Sequence, residues 1–320
     1  MPLTLRPVPG ALQTLYLDLL QQARADAPAS VYTANIKGRQ YLKADERHGA
    51  QRIIRHIGPA DDEDAQRVAG RLRAEAQNAK NTRKLVQALR DSGIPGPPRN
   101  MGRVLEVLSA ARLFETGGVV LVGTAAYIGY SAALGVYLPS QLMATQDVDL
   151  SIVTVAIKSS TPLDLGEILR RADPTFTARF NSNFPNAAPS QFAASDGLLV
   201  ETITSRRRVD PVAIPQLKSS ATGLAYQDFL TESPEKFVSL YGAGVPVLAP
   251  RPSRYAVHKL MVAGRRPEGA RAKRDKDIMQ AKALFEAVSA DYLQDAIDDA
   301  NARGRNWRSD LAKGMKLAGL

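Results

Sequence analysis

Val119-Val120-Leu121-Val122-Gly123-Thr124 and, further on, Asp147-Val148-Asp149-Leu150-Ser151-Ile152 decide how this chain folds. The first is a short apolar run that reads as a buried strand, and Gly123 ends it. Residues 124–134 then place Tyr127, Tyr130 and Leu134 at helical spacing, so strand, tight turn and helix follow one another. The second stretch reads as a strand over residues 147–154, in which alternation sends Asp147, Asp149 and Ser151 to one face and Val148, Leu150 and Ile152 to the other. Beyond it, residues 163–171 read as a helix, and residues 176–180 and 198–204 as strands. Strands alternating with helices predict an α/β (α+β) fold, a small mixed sheet flanked by helices.

The flanks read differently. Residues 11–25 suit a short helix, and residues 31–42 a hairpin around Lys37-Gly38. Residues 61–90 carry recurring Val68, Leu72, Leu85 and Leu89 behind the acidic start Asp61-Asp62-Glu63-Asp64, which suits a helix N-terminus. Ile94-Pro95-Gly96-Pro97-Pro98 breaks that helix, and another follows over residues 101–114. From residue 255 the pattern is helical, with breaks at 264–269 and at Gly304. The expected organisation is an N-terminal hairpin and helical region (1–115), a central core (116–215) and a strand pair with a helical domain (216–320).

Composition bounds the chemistry. The 320 residues are 44% hydrophobic and 23% charged, as in an ordinary globular protein. With no cysteine, disulfides, thiolate zinc sites and cysteine nucleophiles are excluded, and any metal must be held by oxygen or imidazole. The stretch Met1-Pro2-Leu3-Thr4-Leu5-Arg6-Pro7 has no secretory pattern, and no run is apolar enough to span a bilayer, so a cytoplasmic protein without membrane partners is expected. The net charge of +10 is uneven: residues 251–276 hold nine Lys or Arg against two acids, Glu268 and Asp275. Such a cluster suits phosphates or nucleic acid; a solvated helix face is the plain alternative.

Three features carry candidate chemistry. Gly123, at the turn between strand and helix, lets a phosphate approach free backbone N–H groups, and Thr124 can add a hydroxyl donor or simply cap the helix. Asp147 and Asp149 share a strand face, where like charges repel unless a hard cation such as Mg²⁺ (or Mn²⁺) lies between them; a polar strand face is the alternative. Glu201 shares its face with Leu199 and Ile203, so its charge needs compensation by a metal or by one of Arg206, Arg207 and Arg208. Asp210, after Val209, is the fallback third carboxylate. His258 reads as a packed helix residue. Phosphate-loop, zinc-protease and nucleophile-elbow signatures are missing.

Together these residues resemble the nucleotidyltransferase superfamily of the DNA polymerase β type: apolar strand, Gly-[Gly/Ser], helix, two carboxylates in alternation and a later single carboxylate. Thr124 stands where Ser or Gly is usual, and the gap to Asp147 is long. Leu121-Val122-Gly123-Thr124-Ala125-Ala126-Tyr127, Leu134-Gly135-Val136 and Thr145-Gln146-Asp147-Val148-Asp149-Leu150 look like a bacterial branch in which both features are normal. Pro252-Ser253-Arg254-Tyr255-Ala256-Val257-His258-Lys259-Leu260, then Arg265-Arg266, then Lys273-Arg274-Asp275-Lys276-Asp277-Ile278 resemble the same branch and the abortive-infection type of nucleotidyltransferase toxin. The resemblance covers residues 117–284.

It implies that Asp147, Asp149 and Glu201 bind the metal, that Lys259 contacts the triphosphate and that Asp277 is needed for activity. Gly123, Thr124 and one of Arg265 or Arg266 would hold the β and γ phosphates. The acceptor it implies is a hydroxyl on RNA, tRNA for instance, with a toxin-like role and an antitoxin as partner, and the basic residues Arg271, Lys273 and Arg274 are placed to hold that acceptor. A protein or small-molecule acceptor, or a non-catalytic RNA-binding module on the same scaffold, are the competing readings.

Overall fold

The computed structural model describes residues 4–25, 29–48, 51–115, 118–152, 162–205 and 210–320. Strand β1 (Arg6–Pro7) and helix α1 (Gly10–Gln22) precede an antiparallel meander of β2 (Ala29–Ile36), β3 (Arg39–His48) and β4 (Gln51–Pro59). Lys37 and Gly38 both have positive φ, 52° and 80°, the geometry a two-residue hairpin requires. The third strand was not expected. Adjacent Ile53 and Ile54 blur the alternation of β4, and the cross-strand pairs Arg52–Asp45 (2.7 Å) and Arg55–Glu46 (3.1 Å) help to fix it against β3.

Helix α2 (Glu63–Asp91) is capped by Asp62, whose carboxylate accepts from the Ala65 N–H at 2.7 Å. It buries Leu72, Val86 and Leu89 and ends before Gly93, at φ 88°. Helix α3 (Arg99–Ala110) follows the proline-rich break, and residues 111–115 form turns rather than the expected last helical turn.

The central elements are β5 (Val119–Val122), α4 (Gly123–Leu134), β6 (Val136–Tyr137), β7 (Asp147–Ile152), α5 (Leu165–Ala172), β8 (Thr177–Arg179), β9 (Gln191–Ala193), β10 (Leu199–Ser205), β11 (Val212–Ile214) and β12 (Ser219–Leu224). Apart from β6, which pairs with β1, their strands form a mixed sheet in the order β11-β12-β10-β7-β5, with β8 and β9 off this path. Strands β7, β10 and β12 run parallel and β5 is antiparallel to β7. The far edge of β10 is shared: β9 pairs with its first half and β12 with its second. Residues 153 and 154, expected to prolong β7, lie outside the described residues.

A short helix α6 (Gln227–Leu230), the strand pair β13 (Glu235–Ser239) and β14 (Val245–Ala249), and four helices complete the chain: α7 (Pro252–Arg265), α8 (Arg271–Ala287), α9 (Ala290–Ala302) and α10 (Arg305–Ala318). The fold class is mixed α/β, as expected. All four residues of β5 are buried, and the main core joins them to Val148, Leu150, Val200 and Tyr255. Gly264 of α7 and Gly314 of α10 meet backbone to backbone, since a Cβ on either would collide with a main-chain carbonyl of the other helix. This close crossing fixes α7, the helix that carries Lys259. Among the described residues no helix is long and apolar enough to cross a membrane.

Candidate active site

Strand register gathers the carboxylates. Val122 pairs with Asp149, Asp149 with Glu201, and Glu201 with Gln191, so one lateral row runs from the Gly123 turn across β7 and β10 to β9. Facing residues of adjacent strands point to the same side of a sheet, so Asp149 and Glu201 are neighbours. Asp147 is exposed at the start of β7, and Asp149 is half-buried. Gln191 Nε2 donates to Glu201 Oε1 at 2.7 Å, a neutral partner that the sequence reading missed. Arg206, Arg207 and Arg208 lie outside the described residues, and Asp210 is exposed, away from this row.

Gly123 has φ 63°, and a Cβ there would collide with Asp149 Oδ2. The absence of a side chain therefore lets the carboxylate sit against the first residue of α4, where helix N–H groups are free. Thr124 is the second residue of that helix and is half-buried. The turn is tied to the helices opposite: the Tyr255 hydroxyl lies 3.0 Å from the Gly123 carbonyl and 3.1 Å from Gln280 Oε1, and Gln280 Nε2 donates to the Leu142 carbonyl at 2.9 Å.

The opposite wall is cationic. Lys259 Nζ and Arg266 Nε approach the two oxygens of Asp277 at 2.7 and 2.6 Å, and Asp277 is only 3% exposed. Arg265 is exposed, its guanidinium 6.0 Å from the Tyr226 ring centre. Between the walls is a cleft of about 510 Å³ lined by Gly123, Asp149, Glu201, Lys259, Arg265 and Arg266 among others. Thus six of the residues singled out in the sequence share one cavity. Asp277 stands behind Lys259 and Arg266 rather than on the lining. Arg271, Lys273 and Arg274 open α8 outside it, with Arg271 3.7 Å from Asp275.

The electrostatics follow from this packing. Burial, then the Glu201 and Asp147 charges, push Asp149 up to about 6, against the opposing pull of Lys259 and Lys273. Burial alone would raise Asp277, yet the Lys259 and Arg266 cations hold it below the usual carboxylate range. Lys276, which donates to the Ala144 carbonyl at 2.7 Å, is lowered by burial and by Lys259. His258 is buried as expected of a packed residue, but it lines the cleft and neither ring nitrogen has a close hydrogen-bond partner, the Ala225 backbone acting only weakly on one of them. Burial, with Lys259 adding to it, pushes its imidazole down to about 3, so it is neutral.

Among the described residues no three His, Asp or Glu side chains converge into a ready-made metal cage. What is present is a hard-oxygen donor set in which one carboxylate, Asp149, is held against two others at an energetic cost. That fits a cation such as Mg²⁺ or Mn²⁺, which takes one or two carboxylates and completes its shell with water and substrate phosphate.

A family model described as nucleotidyltransferase matches residues 99–304. No curated protein and no solved structure matches the chain.

Proposed function

The chain belongs to this nucleotidyltransferase family, and from that premise we propose that it transfers a nucleoside monophosphate from a nucleoside triphosphate to an acceptor hydroxyl, with divalent metal at Asp147, Asp149 and Glu201. The observation that carries the reading is the cleft itself, with Asp149 and Glu201 on one wall and Lys259, Arg265 and Arg266 on the other. The anionic wall suits metal and the cationic wall suits a triphosphate, and one nucleotide brings both together. A divalent cation held there supplies Lewis-acid polarisation of phosphoryl oxygens and a lowered pKa for a bound hydroxyl.

The chain's own residues do the rest. Gly123 and the first turn of α4, with the Thr124 hydroxyl, offer donors to a phosphate. Lys259, Arg265 and Arg266 neutralise the β and γ phosphates, where charge grows as pyrophosphate leaves. Asp277, in contact with both, keeps Lys259 and Arg266 in position. Glu201, oriented by Gln191, stands beside Asp149 to complete the metal set or take the acceptor proton.

The acceptor we propose is RNA. What supports this is the run of basic residues Arg271, Lys273 and Arg274 at the start of α8, outside the cleft, which can track a phosphate backbone. The test is incubation with each α-labelled nucleoside triphosphate, Mg²⁺ and total RNA or total protein. Label should enter RNA, pyrophosphate should be released, and Glu201→Gln or chelation should abolish both. Label on protein alone would overturn the acceptor, and no transfer to anything would overturn the enzyme.

Gly123 gives a sharper local test. Gly123→Ala must displace the Asp149 carboxylate and strain a left-handed backbone, so activity should fall about 10- to 100-fold with about 1–2 kcal/mol lost in stability. Turnover within twofold of wild type would mean that Asp149 does not need its present position.

A further inference from the structure

The cleft continues beyond the phosphate-binding wall into a region that the mechanism above does not use. There it is bounded by the apolar side chains Leu224, Leu230 and Val262, by Tyr226, and by two buried polar side chains, Gln227 of α6 and His258 of α7. Gln227 is 4% exposed and His258 7%. Both have unmet hydrogen-bonding capacity: Gln227 Oε1 has no partner, and the His258 imidazole has no close one, only the Ala225 backbone acting weakly on one of its nitrogens. Leaving such groups buried and unsatisfied is costly, and a ligand that bonds them recovers that cost.

The other walls suit a flat, weakly polar ligand. Leu224 is 43% exposed at the cleft. Tyr226 is held rigidly: its ring packs edge-on against Trp307 at 4.5 Å and its hydroxyl donates to Asp310 Oδ2 at 2.5 Å. His258 immediately precedes Lys259, so the unsatisfied end and the triphosphate end are joined by one turn of α7.

We propose that Gln227 and His258 read the hydrogen-bonding edge of the nucleobase, so that this end of the cleft selects among the nucleoside triphosphates. With its N–H turned towards the Ala225 carbonyl, a neutral imidazole offers its other nitrogen as an acceptor, and the glutamine amide can present either its oxygen or its nitrogen. Together they match a base edge with donor and acceptor side by side, while Leu224 and Val262 cover the ring faces. A site built to hydrogen-bond its ligand rejects analogues because its own polar groups are then left unpaired. The inference rests on the nucleotide reading of the cleft, and its test separates the two.

Dissociation constants are measured for ATP, GTP, CTP and UTP and for inorganic tripolyphosphate, a probe without a base. Wild type should favour one base by about tenfold or more. Gln227→Met and His258→Leu should reduce that spread to within about threefold while changing tripolyphosphate affinity by less than about twofold. Both replace an unsatisfied polar group by an apolar one of similar size, so the nucleotide-free variants should melt no lower than wild type. They lie on different helices, and either one that folds decides the matter. Equal binding of all four nucleotides by wild type, or an unchanged ranking in a folded variant, overturns base selection while leaving the triphosphate site standing. Failure of wild type to bind tripolyphosphate or any nucleotide overturns the nucleotide reading itself.

Discussion

Asp149→Asn should lower nucleotidyl transfer by about a thousandfold or more and at the same time leave the metal-free protein more stable at neutral pH. The first effect follows from removing the carboxylate at the centre of the proposed metal site. The second follows from its raised pKa. A carboxyl that titrates at about 6 when folded, against 3.8 ordinarily, is ionised at pH 7 at the expense of the fold. Two pKa units correspond to about 3 kcal/mol.

The sign fixes the pH window. Between about 3.8 and 6 the folded protein binds a proton that the unfolded chain does not, so this group's contribution is most favourable at low pH and is lost as pH rises through 6. The neutral Asn has no such dependence. The difference in unfolding free energy between Asp149→Asn and wild type should therefore be largest above pH 6 and vanish towards pH 4. Mg²⁺ should narrow it by stabilising only the wild type. Equilibrium unfolding of both proteins from pH 4 to 8 reads the effect directly. A variant less stable than wild type at pH 7.5 would mean that Asp149 is held by partners rather than strained by neighbours.

What could be read from the sequence was local. The strand before Gly123, the turn and the alternation of Asp147, Val148 and Asp149 depend on residues a few positions apart, and their pattern survives folding intact. The meeting of Glu201 with Asp149 depends on the register between β7 and β10, which alternation alone does not encode. Gln191 was invisible for the same reason, since its strand is short and antiparallel to β10. Lys259 and Asp277 were singled out separately by resemblance, but their contact arises from the packing of α7 on α8. His258 read correctly as a packed residue, yet its lack of a close partner is a property of the surrounding space. The paired Ile53 and Ile54 hid β4, because residues 52–56 are exposed on both faces, so no alternation is imposed there and ion pairs hold the register.

Asp277→Ala should be the most destabilising single change in the site, at about 3–5 kcal/mol, because it leaves two cations without their shared buried counter-charge. Lys259 and Arg266 each lose a contact below 3 Å, to a carboxylate that is 3% exposed. Asp277 is off the cleft lining, so the loss of activity expected with this change acts through Lys259: it is a positioning residue. That role has a distinct signature. A bound triphosphate supplies the anion that the cations have lost, so a saturating nucleoside triphosphate should raise the melting temperature of Asp277→Ala more than that of wild type. The pH dependence also runs opposite to that of Asp149. A depressed carboxylate contributes stability that is fully present above its unfolded pKa near 3.8 and is lost only as pH falls through the folded value. The gap between wild type and Asp277→Asn, which keeps the shape without the charge, should stay constant from pH 8 to about 5 and close only in stronger acid. A gap that already closes between pH 7 and 5, or a nucleotide-induced shift no larger than in wild type, would remove Asp277 from its place behind the cations proposed to bind phosphate.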